Sequence, residues 1–417
     1  MPSQVWPDGV PQAATTCHVV PSGCGNEHEE LRLVSGSPRR RFPFGRLYLF
    51  QRSVRTVIKL SERLRTLGTS GSAVPCEGAV AAVVQIRWPE GEWSKAYGMR
   101  DLETRTPAQP TDRIQIASVT KTMTAVAVMK LVEDHLIGFD DPVNDVIPGF
   151  TSVLKPSAPI TVRQLLSHTS GMPEVNDAAS KDVDFRPAFF SQKLTMESGL
   201  ELAGTLPWPA ASVGTFKYSN TNYLALGLLL QKLRHKPYDQ VMQEQVFEPL
   251  GLKNTSLKPV DLASPGLLHG YATIRGERVD VTDNTAWAGN PAGGASSTVE
   301  DVNLFMAALF TGREVSSASL KEMKTSPGFA PYGLGMWQHA DGCSKESRYE
   351  GLGSLWGHQT TAVSSADGRY QATMTVTAPP LPTGLEDPAA EGKRSDLNGR
   401  MESTLNEALD RICKPAN

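Results

Sequence analysis

The chain predicts an α/β body built on an antiparallel sheet flanked by helices, with a helical subdomain inserted between its strands. Three observations predict it. A Val-rich run over 79–88 is followed by the turn Pro89-Glu90-Gly91 and a second extended run, as in a hairpin. Near the other end Tyr370, Ala372, Met374 and Val376 alternate with polar residues, and a helix with an apolar stripe follows over 397–412. Between these ends lie long apolar runs of helical length. Strands at both ends of one body must meet in one sheet, which makes the middle an insertion.

Taken in order, residues 1–60 form a separate block with 8 Lys or Arg against 4 Asp or Glu. Its first 30 residues lack the basic start and apolar stretch expected of a secretory signal, and Arg46, Arg52 and Arg55 interrupt the apolar run that a twin-arginine signal after Arg39-Arg40-Arg41 would need. Residues 1–69 are therefore expected to be a basic, poorly ordered extension, with a short amphipathic helix over 53–67, and 70–417 to be the folded domain. In that domain 79–88 and 92–98 are the first hairpin, 122–132 is an apolar helix that must be buried, and 224–233 is a second. The strand at 370–377 is expected to bury one face, and the helix at 397–412 to cover it through Leu397, Met401, Leu405, Leu409 and Ile412.

Composition narrows the function. With 40% hydrophobic and 20% charged residues the 417-residue chain matches a folded protein rather than a disordered or coiled-coil one. A formal charge of −3 supplies no field for nucleic acid or an anionic membrane, and no run reaches the roughly 18 apolar residues of a spanning helix. Phosphate-binding loops, dinucleotide fingerprints, G-x-S-x-G and metal-spaced His pairs are absent, so no cofactor or metal is expected.

What remains is Ser118-Val119-Thr120-Lys121 at the start of the apolar helix. One helical turn puts the hydroxyl and the amine on one face, with Cβ atoms about 5–6 Å apart. A buried lysine loses charge readily and can take a serine proton, and a helix start favours a nearby oxyanion. The alternative for this tetrapeptide is an N-cap serine with a solvent-facing lysine. Some 100 residues later, Tyr218-Ser219-Asn220 precedes the helix at 224–233. A phenol can shuttle a proton and an amide can bind a carbonyl, but a core Tyr and a capping Asn would look the same.

Together these motifs resemble the serine β-lactamase and penicillin-binding protein superfamily, in its class C and D-Ala-D-Ala carboxypeptidase branch, over about residues 70–413. The resemblance implies a β-lactamase/transpeptidase-like fold. It implies Ser118 as the acylated nucleophile, Lys121 as its base, Tyr218 as proton shuttle and Asn220 as a substrate ligand. Ile160 to Gly171, Phe247 to Leu252, Ala292 to Asp301 and Tyr332 to Gly335 also look like the family's and are taken as scaffold. Within them His168 is expected to meet the last carbonyls of a helix. Trp287 either roofs the cleft or packs in the core.

The family's third element is Lys or His, then Thr or Ser, then Gly, on a strand lining the site. The candidate here is Gly357-His358-Gln359-Thr360-Thr361, where only His358 matches. Eight residues separate His358 from the turn Asp367-Gly368, which looks like a short deletion. The amide of Thr361, as second oxyanion donor, is then expected to miss the site and turnover to be weak. The resemblance also pairs Cys343 with Cys413 in a disulfide, implying an oxidising compartment and a secreted or wall-associated protein. Cys17, Cys24 and Cys76 stay unassigned. The implied activity is acyl-enzyme hydrolysis of a D-Ala-D-Ala-like peptide, a β-lactam or an ester. Other implied possibilities are an esterase, D-aminopeptidase or peptide cyclase on the same fold, or a binding protein with an impaired site.

Overall fold

The computed structural model describes residues 29–32, 79–147, 149–179, 194–274, 277–283, 285, 287–328, 330–355, 357–377 and 389–413. Its centre is an antiparallel sheet. The strands are β1 (Glu29–Arg32), β2 (Ala81–Trp88), β3 (Gly91–Asp101), β4 (Trp337–Ala340), β5 (Ser347–Leu355), β6 (His358–Ser364) and β7 (Gln371–Thr377). They lie in the order β1-β3-β2-β7-β6-β5-β4, and the short strand Thr106–Pro107 adds to β3. β2 and β3 are the predicted hairpin, closed at the pair Trp88 and Gly91. The ends of the body do meet: β2 pairs with β7, Ala82 opposite Val376.

Within the expected extension, Glu29–Arg32 is an edge strand running antiparallel to Lys95–Glu92. The sheet therefore recruits part of 1–69. The helix expected over 53–67 and Cys17, Cys24 and Cys76 lie outside the described residues.

Four helices position the site: α1 (Thr120–Glu133), α2 (Asn220–Arg234), α3 (Val299–Phe310) and α4 (Ala389–Cys413). α1 is enclosed, with every residue from Thr120 to Met129 buried, polar Thr120, Lys121, Thr122 and Thr124 included. α3 packs on one face of the sheet and α4 on the other, where Met401, Leu405 and Leu409 meet Met374, Val376 and Trp93.

β7 departs from its expected single buried face, since all seven of its residues are buried. The polar half of its alternation faces α3 and is satisfied there. Thr373 Oγ1 donates to Asn303 Oδ1 at 2.7 Å, and the Thr375 and Thr360 hydroxyls share a hydrogen bond of 2.9 Å. Alternation records polarity, and hydrogen-bonded threonines can be polar without being wet.

β4 pairs with β5 only over Ser347–Glu350. Beyond that, Gly351–Leu355 lies against the segment that leads into α1. A Cβ on Gly353 would stand 2.2 Å from the Ile116 carbonyl oxygen, and one on Gly351 would stand 3.2 Å from Val119 Cγ1. Both glycines permit this approach. Behind β5, Cys343 and Cys413 are bridged as expected, with Cα atoms 5.9 Å apart. Buried Arg348 adds a second tie, pairing with Asp341 at 2.8 Å and Asp410 at 2.7 Å.

Candidate active site

Ser118 sits in a single 3₁₀ turn, Ala117–Val119, immediately before α1. Ala117 holds φ at 47°, a left-handed conformation that a residue with a side chain adopts only when its surroundings enforce it. The enforcing neighbours are the close contact with Gly353 and the packing of Gly293 against Ala117.

Lys121 is 1% exposed, so the solvent-facing alternative fails. Its Nζ donates to Ser118 Oγ at 3.0 Å, Asn220 Oδ1 at 2.7 Å and the Ala292 carbonyl at 2.6 Å. Burial lowers its pKa from the usual lysine range to about 7, against the opposing charge of Glu174. When neutral, the amine keeps two hydrogens for Asn220 and Ala292, which leaves its lone pair facing Ser118.

Asn220 opens α2, but the N-cap is Ser219, and the Asn220 side chain points elsewhere. Its oxygen meets Lys121, while its Nδ2 donates to Glu174 Oε1 at 2.8 Å and its backbone N–H to Glu174 Oε2 at 2.5 Å. Glu174 thus fixes which way the amide points. Tyr218 hydrogen-bonds Ser118, and burial raises its phenol well above the ordinary value. It stays a protonated phenol, suited to relaying a proton rather than acting as a phenolate base.

His168 is fully buried and supports Tyr218, the ring centroids lying 4.2 Å apart. Burial holds its pKa well below the usual histidine value, helped by Lys121, and Nδ1 accepts from the Ser219 N–H at 3.2 Å. It is a neutral scaffold residue rather than the helix-end donor expected. The helix there ends earlier, at Leu166, with Ser167 as its C-cap. Trp287 is 8% exposed, so most of its ring is packed against its neighbours.

The third element is where expectation and structure part. The strand against Ser118 is β5, carrying Gly351-Leu352-Gly353, and His358 and Thr361 lie on β6, one strand further in. β6 pairs on both sides: His358 opposite Leu355 and Thr377, Thr361 opposite Leu352 and Met374. Its amides belong to the ladder, which removes Thr361 as an oxyanion donor. The His358 ring is fully buried beside Gly270, with Nε2 3.2 Å from the Leu268 carbonyl. The supposed deletion is likewise absent, because β6 pairs with β5 and with β7 over seven unbroken registers each. Of the family's pattern, β5 retains only the final glycine.

The site therefore gathers Ser118, Lys121, Tyr218 and Asn220, sets His358 and Thr361 outside it, and adds two groups that the sequence did not single out for chemistry. Ala292 lay in a segment taken as scaffold and contributes only a carbonyl. Glu174 follows Met172-Pro173, and its apolar neighbours were the one available hint of burial.

The family model described as Beta-lactamase matches residues 75–391. "Protein flp" of Staphylococcus aureus (strain MW2) is 30% identical over 188 residues, 43% of this chain and 34% of that protein. "Putative penicillin-binding protein PbpX" of Bacillus subtilis (strain 168) is 25% identical over 284 residues, 67% of this chain and 64% of that protein. The chain thus matches about a third of the staphylococcal relative and just under two thirds of the Bacillus one. Among solved structures, a D-stereospecific amidohydrolase from Streptomyces sp. has a TM-score of 0.63 and 27% identity, covering 73% of this chain and 91% of that one. D-amino acid amidase from Ochrobactrum anthropi SV3, complexed with L-phenylalanine amide, has a TM-score of 0.66 and 23% identity, covering 88% and 97%. That second likeness bears on the fold alone.

Proposed function

The chain belongs to the β-lactamase family, within the serine β-lactamase and penicillin-binding protein superfamily, and from that premise we propose that it is a serine hydrolase acylated at Ser118 that cleaves amide or ester bonds of D-amino-acid derivatives. The observation that carries this reading is the placement of Lys121 Nζ, enclosed and shared among Ser118 Oγ, Asn220 Oδ1 and the Ala292 carbonyl. Neutral Lys121 takes the Ser118 proton as Oγ bonds to the substrate carbonyl carbon. Tyr218 relays that proton to the leaving nitrogen or oxygen as the scissile bond breaks. Water then attacks the ester at Ser118, giving its proton back through the same groups, and the acid leaves. The oxyanion is held by the Ser118 N–H, with a second donor from the outer edge of β5 around Gly353, where Thr361 had been expected.

The substrate class follows from the β5 wall. Gly351-Leu352-Gly353 offers backbone and one apolar side chain, with no cation or hydroxyl for the terminal carboxylate carried by a D-Ala-D-Ala peptide or a β-lactam. An amide or ester without that carboxylate suits it better. The likeness to a D-stereospecific amidohydrolase supports the same class. The Cys343–Cys413 bridge is compatible with a secreted or wall-associated location.

The test is hydrolysis of D-phenylalanine p-nitroanilide by the wild type and Ser118→Ala, alongside a time course of fluorescent-penicillin labelling. Turnover lost in Ser118→Ala, with little penicillin label, is expected. A lasting label without anilide turnover would establish a carboxypeptidase instead, and a transient label a β-lactamase.

A further inference from the structure

We infer that Glu174 is the binding site for the substrate's free α-ammonium group, so that the enzyme acts on unblocked aminoacyl amides or esters and discriminates against N-acylated ones. The inference deepens the hydrolase reading above and rests on it. Glu174 is 9% exposed and lies beside the catalytic groups, bonded to the residue that touches Lys121. Its carboxylate accepts from the Asn220 N–H, Asn220 Nδ2 and the Asn176 N–H at 3.1 Å. All three donors are neutral, and among the described residues no cation lies within ion-pair distance of it. An ionised carboxylate presents about four acceptor positions, so one is left over.

A largely buried carboxylate without a cation is costly unless something supplies the charge. Lys121 balances Glu174 only while protonated, and the acylation step needs Lys121 neutral. A bound ammonium supplies the missing charge at that step. The covalent geometry fits, because an α-nitrogen stands about 2.5 Å from the carbonyl carbon that Ser118 attacks. It therefore arrives beside Ser118, whose neighbour Lys121 is joined to Glu174 through the Asn220 amide.

The experiment compares D-phenylalanine p-nitroanilide with its N-acetyl analogue in the wild type, Glu174→Gln and Glu174→Asp. The wild type is expected to favour the free amine by about 10²-fold or more in kcat/KM, as for a site built around a polar group. Glu174→Gln will slow both substrates, because Asn220 loses its clamp, but the ratio between them should collapse to within about fivefold, while Glu174→Asp restores part of it. The preference should also fade as pH passes the substrate's amine pKa, near 8. Calorimetric binding of D-phenylalanine amide and N-acetyl-D-phenylalanine amide to Ser118→Ala separates the two readings. A preference there without wild-type turnover would keep the ammonium site and reject the hydrolase. Equal use of both substrates, or a ratio unchanged in Glu174→Gln, would overturn the inference.

Discussion

Ser118 stands between two unlike walls. On the helical side Lys121, Tyr218, Asn220 and Glu174 bring four functional side chains together, each hydrogen-bonded to another or to Ser118. On the strand side β5 brings Gly351, Leu352 and Gly353, and what matters there is the absence of Cβ atoms. One wall works through chemistry and the other through closeness. Substitution should therefore remove reactivity on the first and distance on the second, and the two kinds of damage can be told apart.

The largest effect belongs to the chemical wall. Lys121→Ala and Tyr218→Phe should each lower acylation by about 10²–10⁴-fold, the usual worth of a positioned proton-transfer group, as read by the rate of ester adduct formation on intact protein. Unchanged rates in either would move that residue into the scaffold and leave the wall with one chemical member fewer.

The next tests the strand wall. Gly353→Ala puts a Cβ 2.2 Å from the Ile116 carbonyl, forcing β5 and the Ser118 turn apart. Acylation should drop by about 10²-fold, comparable to losing one oxyanion donor. His358→Ala is the matched control on the neighbouring strand. It should cost about 1–3 kcal/mol of stability through the lost buried polar contact, and leave acylation of the folded protein near wild type. If His358→Ala abolished acylation at full stability, the assignment of the strand wall to β5 would be wrong.

The smallest effect is in pH. Lys121 must be neutral to act, and its pKa is lowered to about 7, so acylation should rise about tenfold per unit below that value and level off above it. Removing Glu174, whose charge holds that pKa up, should shift the limb to lower pH. A limb near the free-lysine value would mean that Lys121 is solvated in the working enzyme.

The same division explains how much could be read from the residues. Ser118, Lys121, Tyr218 and Asn220 were legible because the reaction needs those side chains at helix starts, and spacing conveys that. The hairpin at 81–101 and the helix over α4 were legible through periodicity. The strand wall was not. Its contribution is backbone, and Gly351-Leu352-Gly353 carries no chemistry to recognise, whereas Gly357-His358 carries the expected residue type on the wrong strand. Only register separates them. Glu174 was hidden for another reason, since a carboxylate gains meaning from enclosure, which a sequence does not display.

One feature of the sheet bears on how the molecule is made. β2 is among the first strands of the domain, yet its inner partner β7 is nearly 300 positions downstream, with Ala82 opposite Val376. Closing so distant a pair delays the central sheet until the chain is almost complete, as high contact order does generally. Within the helical insert Lys121 reaches Asn220 across a sequence separation of 99, a much shorter closure, so these groups can gather before that. The growing chain thus assembles its reactive groups early and their strand support late, so the nucleophile is held under strain at Ala117 only once synthesis has passed β5.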